Sequence, residues 1–104
     1  MSIDIKHLNL VLEAATEIEA LLNRLPPMAN DSALQRIRSL CIQMRGVDSY
    51  ISEKSGAIEA RAARYLSARK HTSHPSGAFA LRDEITHDLL NRIRQQVDTL
   101  KRQR

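Results

Sequence analysis

Four kinds of side chain in this sequence are equipped for chemistry: histidines, a cysteine, carboxylates and a run of cations. His71 and His74 stand three residues apart, and His87 follows Glu84 in the string Glu84-Ile85-Thr86-His87. A metal ion needs three or four ligands converging on one point, and di-iron bundles repeat Glu-x-x-His on two helices. Only one such string is present, so the sequence assigns no metal site and no cofactor is expected. Cys41 is the single cysteine. A nucleophilic thiol needs a nearby base or a helix N-terminus to lower its pKa. Nothing next to Cys41 supplies one, and it reads as a small buried hydrophobe. Glu13, Glu17 and Glu59 carry carboxylates without the histidine partners a bundle metal site requires. No glycine-rich phosphate loop, Walker pattern or Ser-His-Asp set occurs, so the expectation is a protein that is not an enzyme.

Cations form the strongest cluster. Arg61, Arg64, Arg69 and Lys70 fall close together, and Lys101, Arg102 and Arg104 end the chain, within a net charge of +4. Such a cluster suits phosphate contacts. Against it stand the three aromatic residues, Tyr50, Tyr65 and Phe79, too few for base stacking, and the lack of helix-turn-helix spacing. A nucleic-acid accessory role using Arg61, Arg64, Arg69, Lys70, Lys101 and Arg102 is therefore the alternative expectation. The leading one is a helical interaction or assembly module.

These residues must be positioned by helices. The chain is 104 residues long, 42% hydrophobic and only 3% aromatic, so its core must be aliphatic, as in helix-on-helix packing. Leu8, Val11, Ala15, Ile18, Leu22 and Leu25 alternate at spacings of three and four, with Leu12 on the same stripe, and Leu10, Ala14 and Leu21 widen that stripe. The pattern predicts a first helix over about 3–25, capped by Ser2 and stopped by Pro26-Pro27. Asn30, Asp31 or Ser32 caps the next helix. From there Ile37, Met44, Ile51, Ile58 and Tyr65 recur every seven residues without a slip. Unbroken phase predicts one long helix over about 32–70, a rod of roughly 58 Å. Gly46 and Gly56 oppose it at about 1 kcal/mol each relative to Ala. The rival is a break near Gly46 with Asp48 or Ser49 recapping the chain. His71-Thr-Ser-His-Pro-Ser-Gly77 reads as a loop. Leu81, Ile85, Leu89, Ile93, Val97 and Leu100 predict a third helix over about 78–101, with 101–104 a frayed basic tail.

The expected fold is all-α: antiparallel helical hairpins in a single domain, with three helices and a long central one. Two shorter helices cannot cover such a rod, so its seam, Leu40, Met44, Val47, Ile51 and Ile58, is the expected interaction surface. A homodimer would complete the bundle. Acidic residues predominate in the first helix (Asp4, Glu13, Glu17 and Glu19 against Lys6 and Arg24) and basic ones from Arg36 to Lys70, which helps the first helix select its neighbour. No apolar run approaches the roughly 20 residues of a membrane span, and no secretory leader is evident near the start, so the expected location is cytoplasmic.

Overall fold

Residues 4–67 and 75–103 are described by a computed structural model. Among them helix is the only regular secondary structure. Helix α1 spans Ile5–Arg24. Its N-cap is Asp4, whose carboxylate accepts the Lys6 amide at 3.0 Å and answers one of the unpaired N–H groups of the first turn. Ser2, the expected cap, lies outside the described residues. Leu25 then turns extended ahead of Pro26-Pro27, as the prolines require. Helix α2 spans Asp31–Met44, capped by Asn30, whose side-chain oxygen accepts the Ala33 amide at 3.0 Å.

The long central helix does not form. The chain leaves helical geometry at Arg45, and α3 starts afresh over Ser49–Tyr65. Gly46 takes a left-handed φ of +91°, a conformation that costs an L side chain about 1–2 kcal/mol. Asp48 recaps the chain, its Oδ1 accepting the Ile51 amide at 2.8 Å. The seven-residue phase survives because α2 and α3 are an antiparallel hairpin serving one core. Each must aim its own stripe inward, and a short turn happens to keep the count. Gly56, the other objection to a long helix, stays inside α3.

Helix α4 begins at Pro75, three residues earlier than expected, where a proline lacks an N–H that would have been unpaired in any case. It runs as Pro75–Asp83, passes through a π-helical stretch at Glu84–Leu89, and resumes as Leu90–Arg102. The described residues thus form four helices, not three.

Cross-links between the helices give their order. Arg36 Nη2 donates to Glu17 at 2.8 Å and Gln43 Nε2 to the Leu10 carbonyl at 3.1 Å, so α2 runs antiparallel to α1. Arg61 pairs with Glu84, and Gln96 Nε2 donates to Asp48 Oδ2 at 2.6 Å, so α4 runs antiparallel to α3. Arg94 Nη2 reaches Glu19 at 2.7 Å and Lys101 Nζ reaches Asn9 at 2.8 Å, closing α4 against α1. The result is a ring in the order α1, α2, α3, α4, with every neighbour antiparallel. The acidic first helix does meet basic neighbours, Arg36 on one side and Arg94 on the other.

Inside the ring lie Leu8, Ile18 and Leu22 of α1, Ile37, Leu40 and Met44 of α2, Ile51, Ile58 and Tyr65 of α3, and Ile85, Leu90 and Ile93 of α4. Burying each large aliphatic side chain contributes about 1.5–3 kcal/mol against exposure. Tyr65 is fully buried, and its hydroxyl donates to the Leu25 carbonyl at 2.8 Å, tying the C-terminal ends of α1 and α3 together. The buried hydroxyls of Ser55 and Thr86 are satisfied locally: Ser55 donates to the Ser52 carbonyl at 2.9 Å and Thr86 to the Arg82 carbonyl at 3.0 Å.

Candidate functional site

The hydrophobic line read from the sequence is core. Leu40, Met44, Ile51 and Ile58 are at most 2% exposed, packed by the chain's own helices, and Val47 is half-buried in the turn. The seam that a rod would have left open is closed by α1 and α4. Covering it therefore takes no second copy.

Of the cationic cluster, Arg61 is engaged twice, pairing with Glu84 and donating from Nη1 to the Ala57 carbonyl at 3.2 Å. Arg102 pairs with Asp98 at 2.7 Å and Lys101 with Asn9. Arg64 is exposed near the end of α3. Arg69 and Lys70 lie outside the described residues. Because α4 runs antiparallel to α3, Lys101 and Arg102 sit at the opposite end of the bundle from Arg64. The described cations do not make one groove, and two of them already neutralise carboxylates.

The groups suited to catalysis are dispersed. His71 and His74 lie outside the described residues. His87 is exposed on α4, its Nε2 3.8 Å from Asp83. Glu84 faces Arg61, Glu17 faces Arg36, and Glu59 receives Arg45 at 2.6 Å and Arg38 at 3.7 Å. Arg36 hydrogen-bonding holds the Glu17 carboxyl below the usual carboxylate range. Among the described residues no three His, Cys, Asp or Glu side chains converge as a metal site. Cys41 is fully buried, and burial pushes its thiol up to about 12, with Glu59 adding to the rise and Arg45 opposing it. At neutral pH it is a protonated thiol packed in aliphatic surroundings, the opposite of an activated nucleophile.

The outer faces carry what the sequence stripe did not single out. Ile42 is 62% exposed on α2 and Leu10 is 44% exposed on α1. Both belong to the α1–α2 hairpin, at a similar level along it, since Gln43, the residue after Ile42, donates its side-chain amide to the Leu10 carbonyl. Ala14, grouped with Leu10 in the sequence, is buried, so the broadened stripe divides: Ala14 turns inward and Leu10 outward. His7 supports the same hairpin, its Nε2 lying 3.2 Å from the Gln43 carbonyl in the last turn of α2. An isoleucine two places from both Leu40 and Met44, off the inward stripe, was the available signal for this face. Phe79, at 46% exposure, stands under the Arg82 guanidinium, 4.9 Å from the ring centre.

Comparison with protein-family models, with curated proteins and with solved structures found no match to this chain. No helix among the described residues is long and apolar enough to cross a membrane.

Proposed function

We propose that this protein is a non-catalytic helical interaction module that self-associates through the outer face of its α1–α2 hairpin. The reading is supported by Leu10 and Ile42, two large apolar side chains left exposed at a similar level on a cross-linked pair of helices. Rigidity matters because a docking surface that is already ordered loses little conformational entropy on binding. The hairpin is held by the paired Glu17–Arg36 contact, by Gln43 on Leu10 and by His7 on the α2 C-terminus. A second copy would remove both side chains from water, and two-fold pairs are the commonest closed assemblies.

The test is light scattering coupled to gel filtration over a concentration series, with Leu10→Asp and Ile42→Asp as variants. Wild type should exceed the mass of one chain at tens of micromolar. Each aspartate should return it to a monomer while leaving thermal unfolding within about 0.5 kcal/mol, as expected for exposed positions. A wild-type monomer throughout the series would overturn the proposal, and so would variants that associate as well as the parent.

A further inference from the structure

Helix α4 poses a problem of phase. Leu81, Ile85, Leu89, Ile93 and Val97 are spaced by four residues at every step. On a regular α-helix each such step overshoots a full turn by about 40°, so Leu81 and Val97 would stand about 160° apart. A helix cannot turn both toward the same core. Yet Ile85, Leu89, Ile93 and Val97 are all at most 5% exposed, and Leu81 packs against the same cluster.

The π-helical stretch resolves it. Within Glu84–Leu89 the Leu90 amide donates to the Ile85 carbonyl, an i→i+5 bond that fits one more residue into the turn than an α-helix holds. The surplus residue turns everything N-terminal to it by about 100°, one residue's rotation. With that correction the five positions and Leu100 fall within a sector of about 80°. Without it, Arg82 would take the place of Leu81 and Thr86 that of Ile85, putting a guanidinium and a hydroxyl where the core has two aliphatic side chains.

We infer that α4 carries one inserted residue, absorbed at Glu84–Leu89, and that this insertion sets the face its first section turns toward α3. The first section has little else to orient it. Helix α4 comprises 9, 6 and 13 residues in its three parts against 20 in α1, so it is about 42 Å long against about 30 Å. The Glu19–Arg94 and Asn9–Lys101 contacts pin its last section beside α1, and its first section therefore overhangs, packed on α3. Register there depends on Leu81 and Ile85 facing inward and on Glu84 meeting Arg61. The same inserted residue sets the outward placement of Phe79.

Deletion separates this from a π stretch of no consequence. His87 is exposed within the π stretch, and Gln95 is exposed within the regular last section. Removing His87 leaves the spacings of Leu81, Ile85, Leu89 and Ile93 at four, three and four, the pattern of an ordinary helix. That variant should keep its melting temperature within a few degrees of wild type or exceed it. In its amide NMR spectrum, Leu90 should lose the i→i+5 contacts. Removing Gln95 throws Leu90 and Ile93 out of phase with Val97 and Leu100, and should lower the melting temperature by more than 10 °C. Equal destabilisation by both deletions would overturn the inference. So would a tolerated Gln95 deletion, or a His87 deletion that keeps its π bond.

Discussion

Two regions of this molecule depart from α-helical geometry in opposite ways. At Arg45–Asp48 the helix stops, Gly46 enters the left-handed region, and Asp48 starts a new helix running back. At Glu84–Leu89 the helix also departs from α geometry, but it stays a helix and takes in a residue. The first region reverses the chain so that α2 and α3 can share a core. The second keeps the axis and corrects only rotation. Where chain direction must change, the backbone needs a glycine and a cap. Where only the facing side must change, one extra residue in a turn suffices, because a helix rotates about 100° per residue and advances only about 1.5 Å.

The largest test of this contrast is at Ile85. Ile85→Ala should cost about 2–5 kcal/mol, as for other buried aliphatic truncations, whereas Thr86→Ala should cost about 1 kcal/mol, the worth of one local hydrogen bond. Chemical denaturation measures both, and a reversed order would mean that the π stretch does not set the facing residues. Next is Gly46→Ala. In a left-handed turn it should destabilise by about 1–2 kcal/mol, and steric crowding is not the cause, since the nearest atom to an added Cβ is 3.9 Å away on His7. In a continuous rod the same change would stabilise by about 1 kcal/mol. The sign alone decides between turn and rod.

Asp48→Ala removes the α3 cap and the Gln96 contact together, and should cost about 1 kcal/mol. A rod interior would gain from the alanine. The smallest effect at neutral pH belongs to Cys41. Sealed between helices, it should resist a thiol-specific disulfide reagent at pH 8 until the protein is unfolded, whereas an open seam would leave it reactive. Its folded pKa, pushed up to about 12 from the ordinary 9.0, has a definite sign. The stabilisation is complete below pH 9 and falls as pH rises toward 12, because the unfolded chain releases the proton first. Replacing Cys41 with alanine should flatten that part of the alkaline stability profile.

Much of the fold was legible in the sequence for local reasons. Pro26-Pro27 ended the first helix because a proline constrains the residue before it, and of the three caps the sequence offered for α2, Asn30, Asp31 and Ser32, Asn30 is the one used. Ile37, Met44, Ile51 and Ile58 were recognisable as apolar line residues, but not as core rather than interface. The same list serves an open seam and a closed one. Leu10 could not be separated from Ala14 by periodicity, since the angle each makes to the core depends on which helices stand beside α1.

Composition and periodicity by themselves determined helical class, the stop at Pro26-Pro27 and the apolar stripe of each segment, because these follow from interactions within a few residues of chain. Tertiary structure alone decided whether the even beat from Ile37 to Tyr65 was one helix or two, and how the drifting beat from Leu81 to Val97 reached a common face. Hydrophobic spacing records only that a side chain must leave water. Which neighbour covers it depends on where the chain reverses, as at Gly46, and on how far a helix is rotated, as at Glu84–Leu89.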